Sequence, residues 1–363
     1  MPKIYLCAEA LTKNYRLLKA KTQGQLIPVV KADAYGHGAP FVLRTLLNEG
    51  ASVFAVAAAN EARELLDCID KSKSSFTNAR ILVMGPVEKE AIPSLLSPSV
   101  ILSLHSPEYA REVSDVIERH KASLLLPPRF SLSVHLKLET GMHRLGIRTE
   151  RGIREILSLP HLRIEGCYSH LAHAASEERV TAQKKRFLSL LSLFPANVLT
   201  HLSASEGLLR YGDFSLTATR AGLSLYGVAP EGISIPLLPV MRFSARVLSV
   251  FRVKRGEYVG YGSVKAEKAR RLAVIEAGYA DGIPPSAQKN GRVQVLGRAC
   301  PFFGAVCMDR STLDIGDLPL KEGDEITLFG EKAGDTLAFA QSAGISPYVL
   351  LSLRSKRTDR VYI

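Results

Sequence analysis

The chain has 363 residues, of which 46% are hydrophobic and 23% charged, a composition that fits an ordinary globular protein and excludes low-complexity and fibrous classes. Its net charge of +12 is scattered among acids, and the densest basic stretch, "RSKRTDR" at 354–360, suits an anionic small molecule as well as a nucleic acid. Five cysteines, Cys7, Cys68, Cys167, Cys300 and Cys307, include no CxxC pair, so neither a disulfide framework nor a metal site is expected. No apolar run is long enough to span a bilayer, and the sequence turns polar at Glu9 before a signal-peptide core can form. A cytoplasmic protein with no membrane partner is expected.

From residue 26 onward, short apolar runs alternate with stretches of helical periodicity. Eight candidate strands fall at 26–30, 52–57, 80–84, 100–104, 133–138, 163–169, 197–202 and 216–220. In "SPEYAREVSDVIERH", Ser106 reads as a helix N-cap with Pro107 at the first helical position, and "EERVTAQKKRFLSLLSLF" carries an apolar face. Eight such units predict a closed TIM (β/α)8 barrel over 1–228. Past Pro230 and Gly232 the texture changes to strands and turns, which predicts a mostly β C-terminal domain over 229–363, with a helix near 336–343.

In such a barrel, functional side chains belong at the carboxyl ends of the strands. Lys31 ends the first strand, in "LIPVVKADAYGHG", with Tyr35 just beyond. One reading makes Lys31 a solvated strand end. The other makes it a desolvated amine of lowered pKa, able to form a Schiff base with a carbonyl compound. Lys137 and Arg144 accompany the fifth strand, His170 ends the sixth, Ser205 follows the seventh and Arg220 ends the eighth. Singly these read as a core histidine, a helix cap or an ion-pair partner. Gathered at one mouth without a ligand, they would cost several kcal/mol in unmet hydrogen bonds. "SASEG" and "RAGLSLYG" place small residues where strand gives way to helix; Gly222 allows close approach, and the free backbone amides at the helix start suit a phosphate. A phosphate site facing a lysine points to pyridoxal 5'-phosphate.

These segments resemble the alanine racemase family. "VVKADAYGHG" looks like its cofactor-lysine signature, and "HLKLETGMHRLGI", "YSHLA", "THLSAS", "TRAGLSLYG", "VGYGS", "AGYADG" and "CMD" follow in family order along nearly the whole chain. The resemblance implies racemisation of L-alanine to D-alanine for cell-wall synthesis, by a homodimer whose subunits share their active sites. Lys31 would hold the cofactor as a Schiff base and act as one base. Tyr35, Ser205, Gly222 and Leu223 would bind its phosphate, Arg220 would meet the pyridine nitrogen with His170 beside it, and Arg144 would hold the phenolic oxygen and contact substrate. Lys137 matches a lysine often carbamylated in the family. From the partner would come Tyr261 as second base, Tyr279 at the entrance, and the turn of Cys307, Met308 and Asp309 near the substrate carboxylate.

Three positions depart from the family pattern. Ala204 stands where asparagine is usual, Lys356 stands where a tyrosine touching the phosphate is expected, and "LAHAASEE" after His170 lacks a common acidic residue. These departures suggest a broader amino-acid racemase as the alternative. A decarboxylase of similar architecture would carry a cysteine-aspartate pair, which "CMD" and "VGYG" do not match. A non-catalytic pyridoxal-phosphate barrel protein would not need a β domain carrying Tyr261, and a nucleic-acid partner rests on charge alone.

Overall fold

The computed structural model describes residues 1–71, 78–121, 126–127, 129–353, 355 and 357–363; Lys356 and Arg354 lie outside them. Eight parallel strands follow the first strand, β1 (Lys3–Leu6): β2 (Gln25–Pro28), β3 (Val53–Val56), β4 (Arg80–Val83), β5 (Val100–Leu104), β6 (Leu132–Lys137), β7 (Leu162–Tyr168), β8 (Leu199–His201) and β9 (Ala218–Ala221). They pair in the order β2-β9-β8-β7-β6-β5-β4-β3. The ring closes where Val29 bridges Ala55 in parallel and the Val30 amide donates to the Ala55 carbonyl at 2.8 Å. The barrel expected from the alternating pattern is therefore present.

The sequence chemistry explains the parts. Strands such as VFAV and VILSL are buried along their whole length because helices cover the outer face of a parallel sheet. The Pro107–His120 helix starts as expected, with Ser106 Oγ accepting from the Tyr109 amide at 3.2 Å. The Glu177–Leu190 helix is capped in the same way by Ser176.

The second sheet is built on one long strand, β10 (Met241–Val253), which pairs antiparallel with β1, with β13 (Arg270–Ile275) and with β17 (Glu325–Phe329). The hairpin of β11 (Tyr258–Val259) and β12 (Val264–Lys265) precedes β13. The pair β14 (Arg292–Val295) and β15 (Arg298–Pro301) follows, and β16 (Ser311–Asp314) lies against β13. The final strand, β18 (Asp359–Tyr362), runs parallel to β1. Thus the first strand of the chain belongs to the second sheet. It then delivers the Ala8–Lys19 helix to the barrel, where buried Asn14 donates to the Leu225 and Leu238 carbonyls at 3.1 and 2.7 Å. These bonds fasten the helix to the last turn of the barrel and to the segment that leads into β10.

Candidate active site

A cavity of about 550 Å³ opens at the carboxyl ends of the barrel strands. Lys31, Tyr35, Lys137, Arg144, His170, Ser205, Arg220, Gly222 and Leu223 all line it, so the barrel-borne site residues read from the sequence are brought together.

Lys31 begins a turn in which Ala32, Asp33, Ala34 and Tyr35 all take left-handed backbone conformations, with φ between 52° and 54°. Each such residue costs about 1–2 kcal/mol, so its surroundings must hold it. Glu61 does so from one side: Oε1 accepts from the Ala32 amide at 2.6 Å, and Oε2 accepts from the Ala57 and Ala58 amides at 2.8 and 3.1 Å. Asp33 works from the other, taking the Ala39 amide at 2.7 Å and Arg360 Nη2 at 2.5 Å. The tight turn directs the Lys31 amine and the Tyr35 hydroxyl into one cavity.

Electrostatics weaken the hold of the Lys31 amine on its proton. Burial lowers the Lys31 pKa, Arg144 and Arg220 lower it further, and Glu61 opposes them. Lys137 is brought down to about 8, first by burial and then by Arg144 and Arg220. The cavity wall therefore gathers four basic side chains, Lys31, Lys137, Arg144 and Arg220, while the lining carboxylate of Glu206 is paired with Arg210 Nε at 2.8 Å. Such a site is matched by an anionic ligand.

Arg220 is only 2% exposed and is held on several sides. Nη2 donates to the Ser169 and Leu202 carbonyls at 2.7 and 3.1 Å and lies 3.2 Å from His170 Nδ1. Nη1 reaches His201 Nδ1 and the His201 carbonyl. A guanidinium only donates, so both imidazoles accept through Nδ1. His201 then carries its proton on Nε2, which lies 3.0 Å from His135 Nδ1. Burial and neighbouring cations lower His170 and His135 to about 3. The three rings are neutral around a permanent charge. Arg220 itself is lowered by burial to about 10 and stays charged at neutral pH.

A small cradle forms between Tyr35, Ser205 and Gly222. Ser205 Oγ accepts the Gly222 amide at 2.9 Å, and a Cβ on Gly222 would sit 3.1 Å from the Tyr35 hydroxyl and 3.9 Å from Ser205 Oγ. Burial raises the Tyr35 pKa, so the hydroxyl remains a donor. The absent side chain at 222 leaves room for a phosphate among donors, and the residues present fit pyridoxal 5'-phosphate.

Three residues named from the sequence stand elsewhere in this chain. Tyr261 is 78% exposed in the β11–β12 hairpin, while Tyr279 and Met308 are 44% and 53% exposed on turns of the second domain. None of the three lines the cavity of its own chain. Conversely, sequence reasoning missed Tyr348, whose ring lies 6.0 Å from that of Tyr35 and forms part of the cavity wall. Its signal was "SPYVLL", where Ser346 caps a helix starting at Pro347. It also missed His135 and His201, which lie inside the apolar strand stretches "SVHLKL" and "VLTHLS".

Comparison with known proteins agrees with this geometry. A family model described as "Alanine racemase, N-terminal domain" matches residues 6–230, and one described as "Alanine racemase, C-terminal domain" matches 240–362. The alanine racemase of Clostridium novyi is 31% identical over 360 residues, covering 93% of this chain and 89% of that protein. That of Helicobacter pylori J99 is 31% identical over 363 residues, covering 93% and 92%. Among solved structures, the biosynthetic alanine racemase from Pseudomonas aeruginosa superposes with a TM-score of 0.86 at 31% identity, over 100% of this chain and 99% of that one. The Bartonella henselae enzyme, solved with covalently bound pyridoxal phosphate, gives 0.88 at 26% identity over 100% and 99%. Matched in both halves and aligned along more than nine tenths of its length, this chain belongs to the alanine racemase family.

Proposed function

We propose that the protein interconverts L- and D-alanine with pyridoxal 5'-phosphate attached to Lys31, as a homodimer in which each active site draws on both subunits. The observation that carries this reading is the split between the two proton-transfer groups. Lys31 sits inside the cavity, whereas Tyr261 is exposed on a hairpin outside it. Racemisation removes the α-proton from one face and returns it to the other, so it needs two acid/base groups on opposite sides. One cavity in one chain supplies the first, and a second copy would supply the other.

The residues divide the work. Tyr35, Ser205 and the Gly222–Leu223 backbone hold the phosphate. When bound, pyridoxal phosphate would supply an electron sink for the pair left as the α-proton departs. Lys31 Nζ takes or returns that proton on one face, and Tyr261 of the partner subunit does so on the other. Arg220 would face the ring nitrogen as a donor that does not give up its proton, which would limit electron withdrawal and disfavour competing reactions. Neutral His170, with Nδ1 toward Arg220, keeps Nε2–H as a donor toward the cavity side. Arg144 carries a positive charge for the phenolic oxygen and the substrate. Tyr279 and Met308 of the partner subunit narrow the entrance and meet the substrate carboxylate. Localisation to the cytoplasm is supported by five free cysteines, and among the described residues no helix is long and apolar enough to cross a membrane.

A second reading, racemisation of amino acids larger than alanine, is favoured by the wall itself. Ala172, Ala174, Ala175 and Ala204 all line the cavity. The test of both is chiral product analysis in deuterium oxide with L-alanine, L-serine and larger amino acids. Deuterated D-alanine as the dominant product supports the first reading. Comparable turnover of serine favours the second, and no α-deuteration of any amino acid refutes both.

A further inference from the structure

The two turns that carry Tyr279 and Met308 are joined. The Tyr279 amide donates to the Cys307 carbonyl at 2.9 Å and the Ala280 amide to the Met308 carbonyl at 3.0 Å. The approach is so close that a Cβ on Gly278 would lie 2.3 Å from both the Cys307 and Met308 carbonyl oxygens. These bonds fix one turn against the other. What anchors the pair is a residue of the carboxyl-terminal segment, Arg357.

Arg357 Nε donates to Asp281 Oδ1 at 2.8 Å, and Nη2 to Oδ2 at 3.0 Å, a bidentate pairing with a carboxylate that is only 1% exposed. The same carboxylate accepts the Gly278 amide at 2.9 Å. Arg357 Nη1 meanwhile reaches Asp309 Oδ1 at 2.8 Å, and Nη2 lies 3.4 Å from the Met308 carbonyl. One planar guanidinium thus spans both turns, which a point-charged ammonium cannot do. Three residues on, Arg360 of β18 holds Asp33 in the Lys31 turn. A four-residue segment therefore ties the chain's own cofactor turn to the two turns it presents outward. Neither Arg357 nor Asp281 lines the chain's own cavity.

We propose that Arg357 is a positioning residue for the reaction in the other subunit: by clamping Asp281 and Asp309 it sets where Tyr279 and Met308 meet the substrate bound in the partner's barrel. The proposal rests on the shared-site reading above. Its effect belongs to substrate binding in the neighbouring cavity and leaves the chain's own cofactor site intact.

The test uses Arg357→Met, with Asp309→Asn as a second variant that removes only the more exposed half of the clamp. For either homodimer, KM for alanine rises by about ten- to a hundredfold, as expected when a contacting group is displaced by about an ångström, while cofactor absorbance is unchanged. A loss of thermal stability or cofactor content with unchanged KM means a merely structural salt bridge and overturns the proposal. Differently tagged chains bearing Arg357→Met and Lys31→Ala are then co-expressed and the heterodimer isolated. One of its two sites joins an intact barrel to an intact second domain, so wild-type KM returns at about half the wild-type kcat. A KM that stays raised in this heterodimer places the action of Arg357 in its own chain and also overturns the proposal. The Lys31→Ala with Tyr261→Phe heterodimer is the control: if it regains no activity, the shared-site reading fails and takes the proposal with it. If the control succeeds and the Arg357→Met pair does not, only the proposal fails.

Discussion

Arg220 and His170 meet with a guanidinium nitrogen 3.2 Å from imidazole Nδ1, and because the guanidinium can only donate, His170 is fixed as a neutral acceptor at that nitrogen. The same logic passes from Arg220 to His201 and on to His135. A single buried cation thereby sets the tautomers of three rings.

This arrangement gives stability a definite pH dependence. His170 and His135 fall from an ordinary value of 6.5 to about 3, and His37 to about 4. For each, the folded state binds its proton less readily than the unfolded chain. The stabilising contribution is fully present above pH 6.5 and is lost as pH falls toward the folded values. Thermal unfolding midpoints of the cofactor-free protein should drop steadily between pH 6.5 and 4, with proton uptake on unfolding. A flat profile over that range contradicts the assignment of neutral buried rings.

Replacing Arg220 with lysine removes the fork that serves two imidazoles and three backbone carbonyls. Each acceptor left unpaired in the barrel costs about 1–3 kcal/mol. Arg220→Lys should lower the thermal midpoint by several degrees and also reduce kcat/KM, measured by calorimetry and by a coupled racemase assay. Unchanged stability would mean that the hydrogen bonds around the guanidinium are dispensable.

Gly222→Ala tests the phosphate cradle separately from the chemistry. The added Cβ would intrude on the space between the Tyr35 hydroxyl and Ser205 Oγ. Affinity for pyridoxal phosphate should fall about tenfold or more, read by fluorescence titration of the cofactor-free protein. The turnover of fully loaded enzyme should change less. An unaltered dissociation constant would place the phosphate elsewhere.

Lys137, with its pKa lowered to about 8, offers far more free amine at neutral pH than a solvated lysine at 10.5. Carbon dioxide adds to a free amine to give a carbamate and a proton, and Arg144 is a ready partner for the resulting charge. In 13C-labelled bicarbonate, a carbamate resonance should appear that is missing in Lys137→Met and weakens below pH 7. No such resonance at pH 8 rules out the modification.

The fold was legible because both of its repeating signals are local. The βα alternation exposed the barrel, and seven barrel residues found at strand ends do line one cavity. What escaped the sequence was long-range. β1 and β18 carry no feature that marks them as parallel neighbours, yet their register runs from Lys3 opposite Asp359 to Leu6 opposite Tyr362. The left-handed run after Lys31 contains no glycine until Gly36, so nothing in "KADAY" announces it. Tyr348 precedes by eight residues the position matched to the family's tyrosine, Lys356, which lies outside the described residues, and nothing local in "SPYVLL" points its ring at the cavity. Charge-bearing pairs such as Arg357 with Asp281 are likewise invisible until the chain is folded.

The most direct test of the central claim is borohydride reduction of the protein supplied with pyridoxal phosphate, followed by peptide mapping of wild type and Lys31→Ala. The account requires the cofactor mass on the peptide containing Lys31 in the wild type and its disappearance in the variant. Attachment at Lys137, or no covalent attachment at all, would contradict it, and Lys31 would then end its strand for structural reasons alone.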